Sequence, residues 1–135
     1  MQASGDAEDI AFTTLNGKLS WYDELASNGG HHYDTSTFVA DGQWHHALVS
    51  RSNDQIKFYA DNQYLGSFNT GTDQVRDDHI DLGRSFWTGS LYFNGSIDEV
   101  RIYDRALSAA EVAELYALEN APPAPSITIT LPTGG

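Results

Sequence analysis

The residues that could do chemistry in this chain are carboxylates, imidazoles and aromatic rings, because cysteine is absent. No thiolate nucleophile, zinc ribbon or disulfide scaffold can be built. The carboxylate stretch that bears most on catalysis is Ser96-Ile97-Asp98-Glu99-Val100-Arg101. A retaining glycosidase needs two carboxyl groups roughly 5–5.5 Å apart, one as nucleophile and one as acid/base. On a strand, Asp98 and Glu99 would face opposite ways, and Glu99 would share its face with Arg101 and pair with it. No catalytic residue is therefore assigned. Of the five histidines, His45 and His46 are neighbours that a strand would point to opposite faces, so they cannot chelate one ion together. His46 reads as a packed residue beside Trp44. His31 and His32 follow Gly29-Gly30 and read as solvated loop residues, and no H-x-x-x-H or H-E-x-x-H spacing occurs.

Oxygen ligands are more abundant. Thirteen Asp and seven Asn are spread through the turns, and calcium takes six to eight oxygens from such side chains and from carbonyls. Asp98, close to the Asn94-Gly95 turn, either ligates an ion or caps backbone amides, and the EF-hand pattern is absent. A second cluster is aromatic: Phe86, Trp87, Tyr92 and Phe93. Such rings either stack on the apolar face of a sugar or plug one end of the fold. Trp87, followed by Thr88-Gly89, and Tyr92 are the ligand-binding candidates. Trp21 and Trp44 read as core.

Charge narrows the partners. Seven Lys and Arg stand against 19 Asp and Glu, for a net charge of −12. Phosphate recognition depends on clustered Lys and Arg, so this balance argues against nucleic acid. It argues equally against an anionic membrane surface. No apolar run approaches the roughly 18 residues of a membrane span, and Met1 leads into polar Gln2 to Asp6 without a signal-peptide pattern.

These candidates must be positioned by strands. With 135 residues, the chain has room for one domain with a core. Asp, Asn and 12 Gly imply many short turns, and a 12% aromatic content favours strands. Asp9 to Leu15 and Lys18 to Tyr22 flank Asn16-Gly17, the strongest two-residue hairpin signal. A loop over Asp23 to Asp34 leads to an extended Thr35 to Val39. Trp44 to Arg51 predicts an interior strand, followed by Gln55 to Ala60 and Gln63 to Phe68. The turns at Ser52-Asn53-Asp54 and Asp61-Asn62 make these three an antiparallel meander. In the second, Ile56, Phe58 and Ala60 lie opposite Lys57 and Tyr59. A polar loop over Asn69 to Asp78 precedes a short strand, His79 to Gly83, and the aromatic loop runs from Arg84 to Gly95. Ser96 to Tyr103 reads as a strong interior strand. One helix is predicted, Ala109 to Leu118, with Ser108 and Glu111 as a capping box and Leu107 with Val112 as a hydrophobic staple. Beyond it, Asn120 to Pro125 reads as a stiff linker and Ser126 to Leu131 as the start of a following β domain.

The order of five phrases is distinctive: Asp41-Gly-Gln-Trp-His-His46, Ile56-Lys-Phe-Tyr-Ala-Asp61, Ile80-Asp-Leu-Gly-Arg84, Asn94-Gly-Ser-Ile-Asp-Glu-Val-Arg-Ile-Tyr103 and Arg105-Ala-Leu-Ser108 before a helix. Over Ile10 to Leu118 this resembles the laminin-G-like, concanavalin A-like jelly-roll modules of bacterial extracellular proteins. The resemblance implies an all-β antiparallel sandwich with one short C-terminal helix over residues 1–119. Residues 120–135 would be the linker and next domain. The chain enters the pattern late, so the first strands are expected to be missing and the sandwich incomplete. Related hydrolases carry a second Glu where this chain has Val100 and Arg101, and a first where it has Ser96. The resemblance also implies one calcium ion, with Asp98 and Asn94 as its ligands here. It implies a noncatalytic carbohydrate-binding or adhesion module, secreted or at the cell surface. Its partners would be a glycan and other domains of the same polypeptide. A structural spacer or protein-interaction module is the alternative, ahead of a degenerate glycosidase.

Overall fold

A computed structural model describes residues 10–23, 31–69, 82–83 and 92–121, with backbone alone for Ile10, Asp23 and His31. Six strands and one helix follow in order: β1 (Ile10–Leu15), β2 (Lys18–Asp23), β3 (His31–Phe38), β4 (Ala47–Ser52), β5 (Gln55–Ala60), β6 (Gln63–Asn69) and α1 (Ala109–Glu119). They form two three-stranded antiparallel sheets, β1-β2-β3 and β4-β5-β6. The fold is an incomplete antiparallel β-sandwich carrying a short helix on one outer face.

The turns do what their residues require. Asn16 and Gly17 both adopt positive φ, 50° and 78°, as do Asp61 and Asn62 at 48° and 62°. These are the values a two-residue hairpin needs to match the strand twist. Gly17 has a second reason to be glycine, since a Cβ there would run into the Phe38 ring. At Gly66 the ladder between β5 and β6 is irregular, φ is 134°, and the Tyr33 hydroxyl would sit 3.3 Å from an added Cβ.

The main core lies between the sheets. Leu19 and Trp21 of β2 meet Ile56, Phe58 and Ala60 of β5, with Tyr33, Val39, Val49, Leu65 and Phe68 around them. Tyr33 stacks on Phe68 at 4.4 Å and on Phe58 at 5.6 Å, tying β3 to the opposite sheet. A second cluster fills the outer face of β4-β5-β6, where Leu48 and Tyr59 pack on Val112 of α1. Tyr59, expected on a polar face, is buried here because the helix covers it. Across this layer Ser50 binds the chain just before the helix. Its hydroxyl donates to the Leu107 carbonyl at 3.0 Å and accepts from the Leu107 N–H at 3.1 Å.

Helix α1 starts as its sequence demands. The Ser108 hydroxyl accepts from Glu111 N–H, and the Glu111 carboxylate reaches back to Ser108 N–H at 2.8 Å. Arg105, beside Glu111 at 2.6 Å, holds that carboxyl down to about 2, with the Ser108 donors assisting. Ser108→Ala should cost about 1 kcal/mol in denaturant titration, the usual effect of losing a cap.

Three expectations are corrected. His31 and His32 do not lie in a loop. They begin β3, where polar residues on the sheet's exposed face disguise the strand; His32 there pairs with Asp34 at 2.9 Å. The strand expected from Trp44 begins instead at Ala47, and Trp44 is 70% exposed rather than core. Pairing with β5 stops at Ala47↔Ala60 because the Asp61 carboxylate takes the next donor, His46 N–H, at 3.0 Å. Ser96 to Tyr103 is not a strand. Among the described residues nothing pairs with it, and Glu99 at φ 50° breaks its extended path. The expected linker, the strand Ser126 to Leu131 and most of the strand His79 to Gly83 lie outside the described residues.

Candidate functional site

At one end of the β4-β5-β6 sheet, the loop entering β4 and the β5–β6 turn are locked together around one imidazole. His45 Nδ1 lies 2.7 Å from Asp61 Oδ2, and its Nε2 lies 2.9 Å from Asp41 Oδ1. The Asp61 backbone N–H donates to the His46 carbonyl at 2.9 Å while Asp61 Oδ1 accepts from His46 N–H, so loop and turn hold each other from both directions. Asp41 also accepts from Gln43 N–H at 2.9 Å, which closes the loop on itself.

The electrostatics follow from this geometry. Hydrogen bonding to Asp61 and then to Asp41 raises the His45 pKa above the ordinary histidine value, outweighing partial burial. The same bond to His45, with Gln43 N–H, lowers that of Asp41. Both carboxylates therefore favour the imidazolium over the neutral ring. His46 behaves oppositely. Burial, aided by nearby Arg101, lowers its pKa despite Asp61. Its ring packs edge-on to Tyr116 at 5.7 Å and its Nε2 lies 3.3 Å from Glu119. The expected packing of His46 beside Trp44 is thus replaced by packing under the helix.

Between these two histidines' supports, the loop displays Trp44 to solvent. An exposed indole on a loop braced by the His45 contacts to Asp41 and Asp61 is suited to stacking on a ligand face. Reading Trp44 as core missed it. The available signal was Asp61, placed by the hairpin register opposite His46, the last residue of the W-H-H phrase.

The other candidates are not gathered at this loop. Trp87 lies outside the described residues. Tyr92 is 70% exposed, next to Phe93, whose N–H donates to Gly83 O at 2.8 Å and closes the base of the aromatic loop. Asn94 and Asp98 are both exposed, and Asp98 Oδ1 accepts from Glu99 N–H at 2.8 Å. Among the described residues no group of three or more His, Asp and Glu could hold a metal ion. Glu99 does pair with Arg101, at 2.8 Å, and Arg101 reaches Glu119 as well.

A laminin G family profile, described as the concanavalin A-like lectin/glucanases superfamily, matches residues 2–113. No curated protein matches the chain. Among solved structures, an S-layer domain-containing protein from Clostridium thermocellum ATCC 27405 superposes with a TM-score of 0.53 at 20% identity, over 86% of this chain. This chain spans 66% of that structure's length. At this identity the likeness speaks for the fold alone. The family match and the two-sheet architecture agree: the chain belongs to the concanavalin A-like lectin/glucanases superfamily.

Proposed function

We propose that this chain is a noncatalytic carbohydrate-binding or adhesion module of a multidomain cell-surface protein. The observation that carries the reading is the solvent-facing Trp44 on its clamped loop, with Tyr92 as a second exposed ring. A purely structural spacer would bury its aromatics. The surface location is supported by the S-layer name of the similar structure and by membership of a lectin-bearing superfamily. Among the described residues no helix is long and apolar enough to cross a membrane. The noncatalytic part rests on Asp98 and Glu99, whose partners are a backbone amide and Arg101 rather than a second acid.

Retention on insoluble cellulose, xylan and chitin tests this. Trp44→Ala is expected to weaken retention by about tenfold, as removal of a contact anchor does. The melting temperature should barely move, since the indole is mostly in solvent. Absence of retention on every polysaccharide would leave the spacer reading in its place.

Calcium at Asp98 and Asn94 is a separate proposal. Within the described residues the two side chains fall short of the oxygens calcium takes, so no step depends on the ion. If they do ligate it, millimolar calcium should raise the melting temperature by mass action, and Asp98→Ala should erase the rise. Identical melting in chelator and in calcium would remove the ion.

A further inference from the structure

Given the reading of Trp44 as a ligand contact, on which this step rests, we infer that His45 is the positioning residue of the Trp44 loop. The loop holds the indole ready only while both ring nitrogens of His45 carry protons, so retention weakens as the solution turns alkaline.

The way the loop is fastened carries this. Its ends are pinned by backbone groups. Val39 N–H donates to the Gly17 carbonyl at 2.7 Å, and His46 is bound to Asp61 through both its N–H and its carbonyl. Between these pins Ala40 to Trp44 are all exposed, and Gly42, at φ 83°, has open space where a Cβ would stand. Burial therefore does not hold this stretch. The bond from Gln43 N–H to Asp41 closes it on itself without tying it to a sheet. Among the described residues, the side chain that ties the middle of the loop to the β5–β6 turn is the His45 ring.

That bridge has a protonation requirement. Both ring nitrogens face carboxylate oxygens, Nδ1 at 2.7 Å from Asp61 and Nε2 at 2.9 Å from Asp41. A carboxylate only accepts, and a neutral imidazole has one N–H, so neither tautomer serves both partners. Deprotonation sets one nitrogen lone pair against a carboxylate oxygen. The ring then lets go of the turn or of its own loop, and Trp44, the residue before it, loses its fixed place. The charged groups facing the ring are Asp41 from its own loop and Asp61 from the turn. His46 shares Asp61 through its backbone, but its ring lies under α1 with Glu119 and Arg101. Bonding to both carboxylates makes the His45 proton harder to remove, so the change comes above the ordinary histidine value of about 6.5. His46, whose pKa is lowered, is largely neutral over that range, and Asp61 keeps its bonds to the His46 backbone. The loop thus loosens while the sheet beneath it stays in place.

The test compares the intact chain with His45→Arg and His45→Gln on a polysaccharide that retains the wild type. Between about pH 6 and about pH 9, wild-type retention is expected to fall about threefold or more, since apparent affinity scales with the fraction of loops held in place. His45→Arg keeps a charged group with several N–H donors throughout and should give a flat profile. His45→Gln, never charged, should be weak and flat. Without ligand, carbon relaxation at the Trp44 Cα should show the order parameter of the wild type dropping from about 0.85 toward about 0.6 over the same interval. A flat wild-type profile, with retention that Trp44→Ala still removes, would overturn this inference and leave the carbohydrate reading standing. A pH-dependent fall that survives in His45→Gln, or an order parameter that ignores pH, would overturn it too. Retention on no polysaccharide, with the order of Trp44 still following pH, would remove the carbohydrate reading and leave the His45 switch standing.

Discussion

Phe58→Ala is expected to cost about 3–5 kcal/mol, the range for deleting a buried phenylalanine. Phe58 has no exposed surface. Its ring lies 5.6 Å from Tyr33, 5.8 Å from Phe68 and 6.3 Å from Phe12, so it touches both sheets at once. Truncation removes the burial of the ring and leaves a hole that rigid strands on either side cannot close. A domain of this size holds only about 5–15 kcal/mol of stability in total, so the variant should be largely unfolded under mild denaturant. Urea titration followed by Trp21 fluorescence reads the result. A loss below about 1 kcal/mol would mean that the sheets are not clamped together at Phe58.

Asp61→Ala is expected to cost about 1–3 kcal/mol, because it strands the His46 N–H and one nitrogen of a charged imidazole together. The effect should depend on pH in a direction the geometry sets. His45 has a raised pKa, so its contribution is fully present below about 6.5 and is lost as pH climbs through the raised value. Asp41 has a lowered one, so its contribution holds above about 4 and is lost on further acidification. His46 runs the other way to His45. Its lowered pKa favours the folded state above about 6.5 and withdraws that support as the solution is acidified. The two histidines partly cancel in the wild type. Deleting Asp61 removes the larger part of the His45 share, keeps the part owed to Asp41, and leaves the His46 share. The stability gap between wild type and Asp61→Ala should therefore be wider at pH 5.5 than at pH 8.5, by denaturant titration at both. A gap of equal size at the two values would show that His45 does not carry its charge in the folded chain.

What was legible in the sequence was what is decided locally. Asn16-Gly17 and Asp61-Asn62 need positive φ and take it. Ser108 and Glu111 make their capping box from residues three apart, and Leu107 with Val112 finds the same cluster the staple implied. The inward face of β5 follows from Ile56, Phe58 and Ala60. What the sequence hid was decided by residues far away in the chain. Trp44 looks like core because it opens what reads as an interior strand, but that strand is cut short by Asp61. Tyr59 shares a face with Lys57 on paper, and only the arrival of Val112 makes its position a second core. Apolar residues on both faces of Ser96 to Tyr103 favour pairing, and a strand needs a neighbour to become one. The His45 clamp is hidden because one of its carboxylates comes from the Asp61 turn, 16 residues away, and the two adjacent histidines belong to different layers of the fold.

Every ladder in the two sheets joins strands that are neighbours in the chain, and three of the four connections within them are tight turns of two residues. Each sheet can therefore assemble by zipping outward from its own hairpins, closing only short loops, before the other has formed. The contacts that must wait are the few that bridge great lengths of chain: Ser50 with Leu107, 57 residues apart, and, farther still, His46 with Tyr116 and Glu119. Their formation comes at the docking stage, so weakening them should mainly hasten escape from the native state and leave the rate of reaching it nearly untouched. The endurance of this module, more than its speed of folding, is set where the helix is fastened to the second sheet.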